Sequence, residues 1–176
     1  QDIAILVKDG TEAGAIKNVL QQKGLACVYL SDRSNLFASA EAKDVLRLLN
    51  GIWHANDTSK VASSLASPLW GYSANTLIEL LYHEDDAQWD AAIDKVLSLR
   101  EMWLQKGCMS VLLYLMQDSY QPHADSVERA LTNYQHLAEV LEKASTTHQR
   151  PEQLLDCLNK QIQMPESDEE LTLRLE

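Results

Sequence analysis

The sequence predicts a mostly helical chain: an α/β piece with few parallel strands, carrying a large all-α insertion. Three observations point there. Two short apolar, partly β-branched runs open the chain, "IAILV" at residues 3–7 and "LACVYLS" at 25–31. Between about residue 39 and residue 163 almost every segment carries helical periodicity and helix punctuation. The end, "LTLRLE" at 171–176, alternates strictly and reads as a strand beginning. Parallel strands need paired edges and covering helices. Too few strands are present here for a sheet of their own.

The elements follow in order. Ile3–Val7 reads as a buried parallel strand, Lys8–Thr11 as a turn with Thr11 as N-cap, and Ala13, Ile16, Val19 and Leu20 as one face of a helix stopped at Gly24. This opening resembles a nucleotide-binding turn only superficially. A phosphate loop needs G-x-x-x-x-G-K-[ST], so that its backbone N–H groups wrap the phosphates while the lysine reaches the terminal ones. Gly10 and Gly14 are separated by three residues, Lys17 is followed by Asn18, and no G-x-G-x-x-G is present.

After the second predicted strand and a loop at 32–39, Ser39 caps a helix running to about His54, with Ala42, Val45, Leu46, Leu49 and Trp53 on one face. "NDTSKVASSLAS" is a helix stopped near Pro68. "SPLWGYSANTLIELL" is a turn and then a helix capped by Ser73. A long amphipathic helix follows, with Trp89, Ile93, Val96, Leu97, Leu99 and Trp103 near one face and Gly107 at its end. "MSVLLYLMQDS" is a shorter, more apolar helix. Asp125 and Glu128 form a capping box for a helix striped by Leu131, Tyr134, Leu137, Val140 and Leu141. Pro151 opens the last helix, and "MPESDEE" is an acidic linker.

Composition narrows the function. A hydrophobic content of 45% in 176 residues is that of a folded domain, and no run approaches the length of a membrane span. The first residue is Gln1, so the chain reads as a processed or cut piece. Cys27, Cys108 and Cys157 are odd in number and lack C-x-x-C spacing, which fits buried free thiols in a reducing compartment. Residues 1–50 hold six basic and six acidic side chains, whereas residues 51–176 hold nine against twenty. That step marks two regions with different surroundings, the second a poor nonspecific grip for a phosphate backbone.

Catalytic constellations are scarce. His54, His83, His123, His136 and His148 never stand four apart, so no H-E-x-x-H metal helix exists. "HEDD" at 83–86 reads as capping of the next helix rather than metal ligation. No G-x-S-x-G elbow and no Ser-His-Asp set occurs. Trp70, Gly71, Tyr72 and Ser73 form an expected exposed turn between helices, either interhelical packing or a hairpin offering amides to a duplex backbone.

In this order, "DIAILVKDGTEAGAIKNVLQQKGLACVYLS" is similar to the start of the second RecA-like domain of superfamily 1, UvrD-like DNA helicases. The following stretch resembles the family pattern F-x-x-x-E-x-K-D, a leucine helix, an N-D pair, a helix and a T-P-x-x-G-type turn. Its anchors here are Phe37, Glu41, Lys43, Asp44, Asn56, Asp57, Pro68 and Gly71. "VYLSDRSNLFASAEAKDVLRLL" and "LTLRLE" look closest to the exodeoxyribonuclease V beta-subunit family, the helicase–nuclease subunits of bacterial recombination complexes.

The resemblance implies residues 1–50 as the start of the second motor domain, 51–165 as a helical insertion and 166–176 as the return to the motor domain. It implies a cytoplasmic parent acting in DNA repair and recombination with ATP and Mg²⁺, whose partners are DNA and the other subunits of its complex. The chain alone is expected to hold no cofactor, hydrolyse no ATP and cut no DNA. Related helicases place an arginine just after the first strand, facing the terminal phosphate. Lys8 occupies that position, with charge but without the bidentate fork. The turn at Pro68–Ser73 resembles a segment that contacts duplex DNA in single-chain relatives, although Trp70 and Tyr72 depart from it, and the acidic insertion instead suits partner subunits. Two other readings stand beside this one: a free-standing helical interaction module, and a receiver-like α/β regulator, whose acidic phosphoacceptor pocket is not visible.

Overall fold

A computed structural model describes residues 3–8, 10–25, 27, 36–82, 86–121 and 127–164. Among them the chain is helical: α1 (Gly10–Gln22), α2 (Ala40–Trp53), α3 (Thr58–Leu65), α4 (Ala74–Tyr82), α5 (Asp86–Lys106), α6 (Cys108–Asp118), α7 (Val127–Ser145) and α8 (Pro151–Gln163). Short 3-10 turns stand at Leu36–Ala38 and Pro68–Trp70.

The helix ends follow their punctuation. Ser39 accepts from the Ala42 N–H at 3.1 Å, and Asp57 accepts from Ser59 and Lys60 at 3.1 and 3.2 Å. Ser73 accepts from Thr76 at 3.1 Å. Gly24 and Gly107 follow α1 and α5 with φ of 71° and 86°, the left-handed region that glycine enters without a side-chain penalty. Pro151 begins α8, where its missing N–H costs nothing. Asp125, the capping end of the expected Asp125–Glu128 box, lies outside the described residues, and Glu128 falls in the first turn of α7.

α2 is the hub. It packs against α3, α5, α7 and α8 and the turn at Leu36–Ala38. Leu48 and Ile52 are fully buried along with the expected Ala42, Val45 and Leu49, because a central helix meets neighbours on more than one side. α3 approaches closely at Gly51, where a Cβ would stand 2.3 Å from the Ser64 Cβ. α6 closes the bundle against α5 and α7. Tyr134, Leu137 and Leu141 of α7 are buried as its stripe predicts. At the α2–α7 seam Asn133 donates to Glu41 at 3.1 Å and Tyr134 to Asp44 at 3.2 Å, while Arg47 pairs with Asp44. The core cluster starts at Leu36, and no described residue before it belongs to it.

Three expectations change. Ile3–Val7 carries no strand, and Ile3 and Leu6 are 87% and 100% exposed. A parallel strand exists only with a paired neighbour, and none is present among the described residues. Thr11 lies inside α1, which begins at Gly10; the Lys8 N–H instead donates to the Glu12 carboxylate at 2.9 Å. Leu97 leaves the buried face of α5 and is exposed. Most of the second predicted strand, and all of the last, lie outside the described residues.

Candidate functional site

The turn at Pro68–Ser73 is built from local polarity and one distant clamp. Ser67 accepts from the Leu69 N–H at 3.4 Å, and the Gly71 N–H donates to the Pro68 carbonyl at 3.1 Å. The same carbonyl receives the Gln121 N–H at 3.2 Å, which ties the turn to the end of α6. Gly71 has φ 70°, and a Cβ there would lie 2.1 Å from the Ser119 carbonyl oxygen. The turn therefore needs glycine for both its dihedral and its close approach.

Aromatic packing and one cation complete it. Trp70 and Tyr72 stack with ring centroids 6.2 Å apart. The Lys95 ammonium lies 5.4 Å from the Trp70 ring centroid, and bonds Asp118 at 3.0 Å and Ser119 at 3.3 Å. That hydrogen bond from Lys95, with a further one from Ser119, holds the Asp118 carboxyl below the usual carboxylate range. Trp70 is buried, against the expectation of an exposed turn; the α6 end and Lys95 cover its ring. Tyr72 and Gly71 are half-buried and Ser73 is exposed. The interhelical packing reading thus holds for Trp70, while Tyr72 and Ser73 still reach the surface.

Lys95, Asp118 and Ser119 had no sequence signal, because Lys95 stands 23 and 24 positions from Asp118 and Ser119 and all three are remote in sequence from the turn they clamp. Lys8 is exposed on the N-terminal segment, outside the core cluster.

Elsewhere, Arg100 lies 4.8 Å from the Trp53 ring centroid, and the Trp53 indole N–H donates to Glu152 at 3.0 Å. A shallow groove of about 300 Å³ is lined by His148, Gln153, Asp156, Cys157, Lys160 and Gln161. It places Cys157, His148 and Asp156 in one lining, but no hydrogen bond joins these three side chains into a nucleophile–base–orienter set. No group of three or more His, Cys, Asp or Glu side chains able to hold a metal occurs among the described residues. The described cysteines are all free, but only Cys108 is fully buried. Burial, and then the nearby Glu142 carboxylate, push its thiol up to about 12.

No protein-family profile matches the chain. Its likeness is to individual proteins, and it sets a class first: this is a helical segment similar to part of a much larger enzyme subunit. The subunit is RecB. The chain is 30% identical over 115 residues, 65% of its length, to the RecBCD enzyme subunit RecB of Escherichia coli. It is 32% identical over 111 residues to that of Haemophilus influenzae, and 29% over 102 residues to that of Mycobacterium tuberculosis H37Rv. The matched stretch spans about a tenth of those relatives, between 8% and 10% of their length. The chain is thus similar to a stretch of RecB, as its motifs suggested.

Proposed function

We propose that this chain supplies part of the second RecA-like motor domain, with its helical insertion, to an ATP-dependent DNA helicase and exonuclease subunit of double-strand-break repair. The single observation that carries the reading is the sequence likeness to RecB. The packing supports it. The helical unit has a continuous core, whereas Ile3, Ile5 and Leu6 stand exposed in a run that an adjoining sheet would cover.

In this reading residues 1–50 begin the motor domain, 51–165 form the insertion and 166–176 return, with α2 (Ala40–Trp53) spanning the first boundary. Lys8 would approach the terminal phosphate of ATP bound with Mg²⁺ on the preceding domain, as a point charge. The turn at Trp70–Ser73 would meet duplex DNA or a partner subunit through Tyr72, Ser73 and the amides at the start of α4. The parent would work in the bacterial cytoplasm with the other subunits of its complex. No described helix is long and apolar enough to cross a membrane.

A longer form of the protein tests this. Lys8→Ala should lower its DNA-stimulated ATPase rate tenfold or more, and an unchanged rate removes Lys8 from the nucleotide. The sequence beyond Glu176 should give an apolar strand and a Ser/Thr-His-x-x-K-G-like loop; its absence would sink the motor-domain assignment. The chain alone should show neither ATPase nor nuclease turnover. The second reading, a free-standing helical interaction module, is favoured by one observation, the confinement of the core to residues from Leu36 onward.

A further inference from the structure

We infer that the outer face of α5 docks an amphipathic, basic helix of a partner protein. The inference names the partner class for the helical unit and rests on the functional reading only to that extent. α5 is buried along Ala92, Val96, Leu99 and Trp103. A surface helix normally turns polar residues outward opposite such a stripe. Here the outward line is Asp90, Asp94, Leu97, Glu101 and Leu104, all exposed, with Leu97 and Leu104 at 43% and 57%.

These five alternate by four and three residues, the spacing that keeps one seam facing a partner helix. At 3.6 residues per turn the seam lies about 150° from the buried stripe and runs about 21 Å. Leu97 and Leu104 are one heptad apart and take no part in the core cluster. The three carboxylates have no basic residue in their line. Lys95 is turned to Asp118 and Trp70, and Arg100 to Trp53. A fitting partner therefore presents apolar residues seven apart, flanked by Lys or Arg. The same carboxylates would repel a phosphate backbone, so the face selects protein over DNA.

The test uses the 176-residue chain without ATP, with duplex DNA added only as a competitor after peptide binding is measured. The probe is a synthetic helical peptide with Leu at every seventh position flanked by Lys, and its twin carries Glu in place of Lys. The Lys peptide should bind at least tenfold more tightly than the Glu peptide. Leu97→Ser/Leu104→Ser should weaken it tenfold or more, and Asp94→Lys/Glu101→Lys should reverse the preference. All four positions are exposed, so circular dichroism should be unchanged. Equal binding of both peptides, or indifference to both double variants, overturns the proposal. So does displacement of the Lys peptide by duplex DNA, or self-association of the chain that Leu97→Ser/Leu104→Ser abolishes, which would make a second copy the occupant. Failure here leaves the Lys8 ATPase expectation standing, and failure of that expectation leaves the peptide result standing.

Discussion

Single residues fix two features of this molecule. Gly71 holds a left-handed dihedral against a backbone oxygen that has no rotamer to yield. Gly71→Ala should therefore cost about 2 kcal/mol or more of stability, seen as a lower urea midpoint. Cys108 and Tyr134 respond to base. Burial and the Glu142 carboxylate raise the Cys108 thiol from 9.0 to about 12, and burial followed by Asp44 raises the Tyr134 phenol. Above the unfolded thiol's pKa the unfolded state loses a proton that the folded state keeps. Stability is then full below about pH 9 and falls as pH rises toward 12, by about 1.4 kcal/mol per pH unit while one group is involved, with Tyr134 adding its share above about pH 10. Urea melts between pH 8 and 11 should show this decline, and Cys108→Ala should remove its first part. The turn glycine and the buried thiol were both expected, but not the groups they face. A glycine in a sequence does not reveal the Ser119 carbonyl, and a cysteine does not reveal the carboxylate 34 positions away that faces it.

At the scale of elements the sequence was far more explicit. Ser39, Ser73, Gly107 and Pro151 all stand where their chemistry placed helix ends, and Asp57, known beforehand only as half of an N-D pair, caps α3. Capping is local, set by a side chain and an amide two or three residues away, and so it survives translation from sequence to structure. Ser39→Ala and Asp57→Ala should each cost about 1 kcal/mol and, being at opposite ends of the α2–α3 pair, should add in the double variant. Thermal melts of the three variants check this. Which face of a helix is buried was less legible. α5 has apolar residues on two sides, and periodicity put Leu97 with the inner set; its neighbours α4 and α6 left it outside. α2 hid the opposite error, because it is buried more widely than one stripe.

For the whole molecule, the decisive fact is where the core lies. It runs from Leu36 through Leu158 and on to the half-buried Ile162, and its helices cross between distant parts of the chain. Residues 1–25 contribute nothing to that cluster among those described. Their removal should leave the thermal midpoint within a few degrees, and a large drop would mean that α1 belongs to the folding unit. Most of the excess of acidic residues lies with the helical unit, so moderate salt should raise its midpoint slightly by screening self-repulsion.

The sequence by itself determined the helical content, most of the helix ends, the absence of a phosphate loop and the likeness to RecB, because each depends on short spacings along the chain. Tertiary structure alone decided that Trp70 is buried, that Lys95 clamps the turn through Asp118, and that α5 keeps an acidic, leucine-bearing face free of the core. It also decided that Ile3–Val7 is no strand by itself. A cap is satisfied by its own neighbours, but burial, ion pairing across helices and strand formation each require a second surface, and only the fold says whether that surface is present.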